Sequence, residues 1–427
     1  MEAPPSPSRA GAWSRPDEAP DPGTASLRVV VVAESYLPYL SGVTVSTEAL
    51  VRGLGAMGHR VLLVAPRPAP GAELGSTGAE GPDPEIAWLP SYQLPRPVPA
   101  GYRMPWPALG DPVVRRAIAF GPDVVHAQSP FVAGRFARRV ARRARAPLVF
   151  TQHTRFTDYR HYLSAFATIG GAMVGQYLDR FMRRCDVVIA PSTDLAQEIR
   201  TRLGDPAKPI VRPIPTGIEV ERIAALEGLD HRRSQGWPAD AVIAVTAGRL
   251  APEKSVETLL EGFASAAARD PRLRLVIVGD GTSAEALRAR AGKSDLAGRV
   301  AFLGQLPRQR ALAALKGGDV FLFASRTETQ GLVLVEALAC GVPVIAVAAP
   351  GVSDSVDHGV DGVVVAAEPA GERAHALGAA LTALAGDPER RAAMGRAGRE
   401  GASRYSVSVR LGQVEDAYRE AMAQSTR

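Results

Sequence analysis

Glu328 and Glu336 stand eight positions apart, on either side of a glycine, in the run Thr327-Glu328-Thr329-Gln330-Gly331-Leu332-Val333-Leu334-Val335-Glu336-Ala337-Leu338-Ala339-Cys340-Gly341-Val342-Pro343. Gly331 lets the backbone approach a ligand closely, and the free N–H groups of an apolar helix beginning near Leu332 favour an anion there. Glu336, about one turn deeper, is placed to grip a ribose diol. Gly341 and Pro343 supply the stop signal. Such a segment suits a nucleotide-sugar site. Two glutamates also suggest a glycosidase pair, but eight helical steps separate them by about 12 Å, whereas paired glycosidase carboxylates sit about 5 to 9.5 Å apart. The plainest alternative is a buried helix with an acidic residue at its mouth.

Ligands of open parallel sheets bind beyond the carboxyl ends of the strands, so residues just after each strand come next. Gly248-Arg249-Leu250, with Lys254 shortly after, offers a guanidinium and an ammonium to a diphosphate leaving group; in isolation the two read equally as surface charges. Gly279-Asp280-Gly281 and Gly304-Gln305-Leu306 end two further strands, and their glycines permit close approach by a base or ribose. Ser41-Gly42 opens a helix whose N–H groups face phosphates from the opposite wall. Gln152-His153-Thr154-Arg155-Phe156-Thr157-Asp158-Tyr159 follows an apolar strand, which aims His153 into the cleft. A lone histidine without that context reads as structural. His161 is too distant in sequence to pair with His153 on a metal, and no third ligand is in sight, so neither metal nor other cofactor is expected. No Walker lysine follows Gly42 and no dinucleotide Gly-x-Gly-x-x-Gly follows Val32.

The elements that must position these groups alternate between strand and helix. Arg28 to Ala33 is a continuous apolar run of the kind buried on both faces of a parallel sheet. Helix Val43 to Gly55 follows, then strands at 61–64, 124–126, 148–150, 187–190 and 210–214. After Pro215-Thr216-Gly217 the alternation restarts, with strands at 242–246, 273–278, 300–302, 320–324 and 344–347. An α/β chain of 427 residues with 46% hydrophobic content fits two doubly wound, Rossmann-like domains facing across a cleft. The reading divides it into a disordered tail (1–26), a first Rossmann-like domain (27–215), a second that carries the Glu328/Glu336 nucleotide-sugar segment (216–404) and a terminal helix (405–427) crossing back to the first half. Cys185 and Cys340 read as small buried hydrophobes, which fits a reducing, cytoplasmic setting.

The net charge of +6 is carried by the first domain. Its sharpest cluster, Arg135, Arg138, Arg139, Arg142 and Arg143 with Arg145, shares a helix with Phe131, Phe136 and Val140. That helix reads either as a solvated face or as a rest on an anionic membrane surface. No aromatic or zinc-finger pattern accompanies the charge, so nucleic acid is not expected as a partner. The stretch Leu163 to Leu178 is too short and glycine-broken to span a bilayer, which leaves a soluble or peripheral protein, on the inner face of the membrane if anywhere on it.

Taken in order, the Gly42 loop, Asp123-Val124-Val125-His126, His153-Thr154-Arg155, Gly248-Arg249-Leu250 with Lys254, and the Glu328/Glu336 pair resemble the retaining, GT-B fold glycosyltransferases of family four, from about Leu27 to Tyr418. The resemblance implies that Glu336 holds the ribose, and that Glu328 with the backbone of Gln330, Gly331 and Leu332 holds the donor sugar. It further implies Arg249 and Lys254 on the diphosphate, the backbone around Leu306 on the base, and His153 near the sugar's 6-hydroxyl. Within the family, His-Thr followed by Asp-Tyr, together with Glu-Thr-Gln-Gly, is similar to diacylglycerol glucosyltransferases, which use UDP-glucose at the membrane face; Arg155, Asp158 and Tyr159 are then expected on the acceptor side. The sequence departs from those enzymes at Arg155, Phe156 and Thr157. The same donor chemistry on a soluble sugar, polyol or glycan, or transfer of mannose from GDP-mannose, is the alternative.

Overall fold

The computed structural model describes residues 25–93, 102–106, 111–155, 167–204, 208–366 and 368–425. A first parallel sheet is built from β1 (Arg28–Val32), β2 (Arg60–Pro66) and β3 (Glu85–Leu89); β4 (Ser91–Gln93) and β5 (Arg103–Pro105) form a separate antiparallel pair. β6 (Val124–Ala127), β7 (Leu148–Thr151), β8 (Val187–Ala190) and β9 (Ile210–Pro213) complete it in the order β3-β2-β1-β6-β7-β8-β9. The second sheet holds β10 (Val242–Ala247), β11 (Leu273–Val278), β12 (Val300–Gly304), β13 (Val320–Phe323), β14 (Val344–Val347) and β15 (Gly362–Val365), ordered β12-β11-β10-β13-β14-β15. Each order reverses direction once, between β1 and β6 and between β10 and β13. The crevice at such a reversal is where ligands of these sheets sit.

The Val- and Ile-rich strands are buried on both faces because helices cover both sides of each sheet, which is why they read as unbroken apolar runs. β3 and β15 escaped the sequence reading. Both are edge strands with partly exposed residues; β3 has a half-exposed pattern, while β15 is a short apolar run, Val363 to Val365, directly after a turn. The helices Arg373–Ala385 and Pro388–Ala402 were also unread; their alanines and glycines blur the apolar stripe.

The helix Val407–Ser425 packs Leu411, Val414, Tyr418 and Ala421 against Val29, Val31, Leu63 and Ile189 of the first sheet. Tyr418 is fully buried there, and its hydroxyl lies 2.7 Å from His126 Nδ1 in β6. At the chain's passage between the sheets, the Gln330 amide accepts from Thr216 N–H at 2.7 Å and donates to Thr216 C=O at 3.1 Å.

Candidate functional site

A cavity of about 730 Å³ lies between the two sheets, at the ends of β1, β6, β7, β10 and β13. The loop after β10 carries Gly248 and Arg249, and the loop after β13 carries Glu328, so the reversal of the second sheet brings both to one wall. Lys254 joins them from the short helix Pro252–Lys254. Lys254 Nζ is 2.5 Å from Glu328 Oε1, and Arg249 Nη2 is 2.6 Å from Glu253 Oε1. Glu253 is almost wholly buried, so it anchors the guanidinium while leaving about half of Arg249 exposed to the cavity.

Glu336 sits on the helix Leu332–Ala339, whose first residues Leu332 and Val333 line the same cavity. Gly331 caps that helix at φ 71°, ψ 53°, a left-handed conformation open to glycine; a Cβ there would come within 2.8 Å of Leu334 Cδ1. The Glu336 carboxylate is paired with Arg308, Nη2 to Oε1 2.6 Å. Arg308 begins a helix directly after β12, so the post-strand rule that picked out Lys254 applies equally to it, yet it was missed.

On the facing wall are Glu34, Tyr39, Gly42, Tyr102, Phe131 and His153. Gly42 starts the helix Gly42–Ala56, held by a capping box in which Ser41 and Thr44 bond each other's backbone N–H. Nothing lies within 4 Å of where a Gly42 Cβ would be, so the cavity opens there. The Tyr39 and Tyr102 rings meet edge to face with centroids 5.3 Å apart. Glu34 accepts from Val132 N–H at 3.2 Å and Ala133 N–H at 2.8 Å, and burial raises its carboxyl above the usual range. Burial also pushes the Tyr102 hydroxyl up to about 12. His153 Nε2 lies 2.7 Å from Gln128 Oε1, and desolvation holds the imidazole down to about 4, neutral at neutral pH.

His153, Arg249, Lys254, Glu328, Gly42, Leu332 and Glu336 therefore share one cavity. Asp280, Leu306, Gln330, Gly331 and Arg155 are not part of its lining. Asp280 is exposed and bonds its own neighbour Gly281 N–H at 2.8 Å. The glycines beside it serve packing rather than a ligand: a Cβ on Gly279 would sit 1.9 Å from Gly248 O, and one on Gly281 2.3 Å from Leu250 O. The Gln330 side chain is spent on Thr216. Arg155 is buried, ion-paired with Glu198, and donates to Glu328 C=O at 3.1 Å across the cleft. Asp158 and Tyr159 lie outside the described residues.

The arginine-rich helix Val132–Ala144 turns Phe136 and Val140 into the core of the first domain, so its apolar face is covered. Phe131 stacks on Tyr177 with ring centroids 5.9 Å apart. What remains outward is charge: Arg135, Arg138, Arg142 and Arg143 are exposed, while Arg139 pairs with Asp111 at 2.5 Å. Among the described residues no helix is long and apolar enough to cross a membrane, and no three His, Cys, Asp or Glu side chains cluster as metal ligands.

Residues 229–401 match the family model described as Glycosyl transferases group 1, and residues 40–222 match that described as Glycosyltransferase Family 4. The alpha-monoglucosyldiacylglycerol synthase of Acholeplasma laidlawii is 30% identical over 334 residues, 75% of this chain and 80% of that protein. A GDP-mannose-dependent alpha-mannosyltransferase of Mycobacterium tuberculosis is 32% identical over 374 residues, 87% of this chain and 91% of that one. Among solved structures, Anabaena HepE in complex with UDP-glucose superposes with a TM-score of 0.67 at 20% identity, covering 91% of this chain and 98% of that one.

Proposed function

We propose a donor and an acceptor for this chain, which belongs to glycosyltransferase family four and is a transferase of the GT-B type: glucose moves from UDP-glucose to the hydroxyl of a lipid such as diacylglycerol. The contrast between the two cavity walls carries the reading. Arg249, Lys254 and Arg308 all stand on the second-domain wall, where a donor's diphosphate needs them. The first-domain wall offers Tyr39, Leu40, Tyr102 and Phe131 with one carboxylate, Glu34, and among the described residues contributes no lysine or arginine. An uncharged acceptor with apolar parts fits that wall better than a phosphorylated sugar does.

The acceptor hydroxyl attacks the anomeric carbon from the face the diphosphate leaves. The C–O bond to the phosphate breaks, a new glycosidic bond forms, and the departing phosphate oxygen takes the hydroxyl proton, so configuration is retained. Arg249, Lys254 and the amide dipoles of the helix Leu332–Ala339 stabilise the charge gathering on the leaving group. Glu336, steadied by Arg308, takes the ribose hydroxyls. Glu328 orients both the sugar and Lys254. His153 meets the sugar as a neutral imidazole. The exposed arginines of the helix Val132–Ala144 bring the enzyme to anionic lipid surfaces where such an acceptor resides.

Mass spectrometry of reactions holding the purified protein, diacylglycerol in vesicles, and either UDP-glucose or GDP-mannose tests this directly. The expected products are UDP and an α-glucosyl lipid. Turnover only with GDP-mannose, the donor in the Mycobacterium tuberculosis relative's name, or only with a soluble acceptor, would replace the reading.

A further inference from the structure

We infer that Gln128 is a positioning residue for the transfer: it fixes the His153 imidazole in one orientation and one tautomer, with the proton on Nε2 and the lone pair on Nδ1. The inference rests on the donor-site reading above and adds a residue to it. Gln128 belongs to no ion pair and its amide carries no charge, yet it is 3% exposed and its Oε1 lies 2.7 Å from His153 Nε2.

Both side chains leave from backbone that cannot shift. β6 and β7 run in parallel register, with His126 opposite Val149 and Ala127 opposite Phe150, so Gln128 and His153 emerge from adjacent strand ends. Gln128 N–H donates to Val32 C=O at 2.9 Å, and Gln152 N–H to Ile189 C=O at 3.0 Å, which extends the sheet's pairing past both strands. Behind them His126 Nε2 lies 2.7 Å from Thr151 Oγ1, tying the strands together a second time. From across the cleft Thr329 Oγ1 donates to His153 C=O at 3.1 Å. The backbone of His153 is thus held by Thr329 and by the sheet pairing of its neighbour Gln152, and among the described residues the ring's hydrogen bond is to Gln128.

A carboxylate at this position would orient the ring equally well, but it would also favour the imidazolium. An amide orients without charging. The charges around the ring do not undo this. Glu34 and Tyr102 stand on its own wall and His126 behind it; on the opposite wall Arg249 is neutralised by Glu253, and Lys254 by Glu328. The chain therefore keeps an uncharged imidazole with a free acceptor nitrogen, which receives a sugar hydroxyl's proton as a hydrogen bond rather than repelling it with a second N–H.

Three variants, assayed with the preferred donor and acceptor, test the inference. Gln128→Met keeps volume and removes the acceptor. We expect an unchanged melting temperature within a few degrees, kcat down roughly 10- to 100-fold as for a misplaced catalytic group, and donor KM within threefold. Its 15N histidine spectrum should show His153 as a tautomer mixture, where the native protein shows Nε2–H alone. Gln128→Glu should move the acid limb of the pH profile toward neutrality by roughly one to two pH units, with activity recovering at alkaline pH. Native kcat, tautomer and pH profile in both variants, beside a His153→Ala enzyme that is inactive, would overturn the role of Gln128 alone. A His153→Ala enzyme with native turnover would instead sink the site reading on which it depends.

Discussion

Lowering the pH from 7 to 5 should cost the first domain stability, most of all through the fully buried His126. The ring is 1% exposed between Tyr418 Oη and Thr151 Oγ1, and desolvation pushes its pKa down to about 3. Unfolded histidine titrates near 6.5. At pH 7 both states are neutral and His126 contributes nothing to the pH dependence. As pH falls below about 6.5 the unfolded chain takes a proton that the folded chain refuses, so stability is lost down to about pH 3, at about 1.4 kcal/mol per pH unit. At pH 5 the loss is about 2 kcal/mol. His153, depressed to about 4 but half-buried on the cavity wall, adds to it in the same direction. Urea midpoints at the two pH values, for the native protein and for His126→Gln, isolate the effect. The variant's absolute stability is not the readout; its loss between pH 7 and 5 should be smaller than the native loss by about 2 kcal/mol. An identical pH-dependent loss in both proteins would refute the reasoning.

Lys254→Ala removes one of the two cations proposed for the leaving diphosphate. A unit charge at about 4 Å in an effective dielectric near 20 is worth about 4 kcal/mol; with Lys254 a quarter exposed, kcat should fall about 100- to 1000-fold while donor affinity falls less, and equal losses in single-turnover rate and donor binding would count against that role. Arg308→Ala leaves the Glu336 carboxylate without its partner, so calorimetric UDP affinity should drop about tenfold, with partial recovery in Arg308→Lys; unchanged affinity would remove both residues from the donor site. Replacing Arg135, Arg138 and Arg142 together by Glu should abolish co-sedimentation with anionic vesicles at low salt, since each exposed arginine near such a surface contributes about 1 kcal/mol, and equal sedimentation of both proteins would end the membrane-docking reading.

Legibility in the sequence followed the length of the local signal. β1 and β10 are five- and six-residue apolar strands, and the segment Thr327 to Pro343 carries its own cap, apolar run and stop, so both sheets and the helix Leu332–Ala339 could be read from neighbours along the chain. The post-strand positions Arg249, Lys254, His153 and Glu328 were legible for the same reason. What was not legible depends on pairs distant in sequence. Arg308 matters because Glu336 lies beside it, and Gln128 because β6 neighbours β7; Glu253 is only four positions after Arg249, but which way the guanidinium turns is set by the fold. Arg155 shows the converse: a residue in the right loop whose guanidinium is taken by Glu198 and by Glu328 C=O. The period of the arginine-rich helix could not say where Phe136 and Val140 point, because an amphipathic stripe has the same period whether it faces lipid or a sheet; both pack into the first domain's core.

The loop after β13 does more than line the cavity. Three successive residues reach the first domain or the passage between the sheets: Glu328 through its carbonyl to Arg155, Thr329 through its hydroxyl to His153 C=O, and Gln330 through its amide to both sides of Thr216. The Glu328 carboxylate meanwhile faces the cavity and holds Lys254. A shift of this loop is therefore coupled to His153 and Thr216 through these bonds. Two further bonds close the cleft at its margin, with Asp354 accepting from Thr193 N–H and Asp194 from Gly351 N–H, each acid capping a helix start in the opposite domain. Because these contacts are polar and short-range, a separation of the two halves would break them. Lys254 and Glu328 hold each other within the second domain, so in the proposed transfer it is the placing of His153 opposite them that would depend on closure of the cleft.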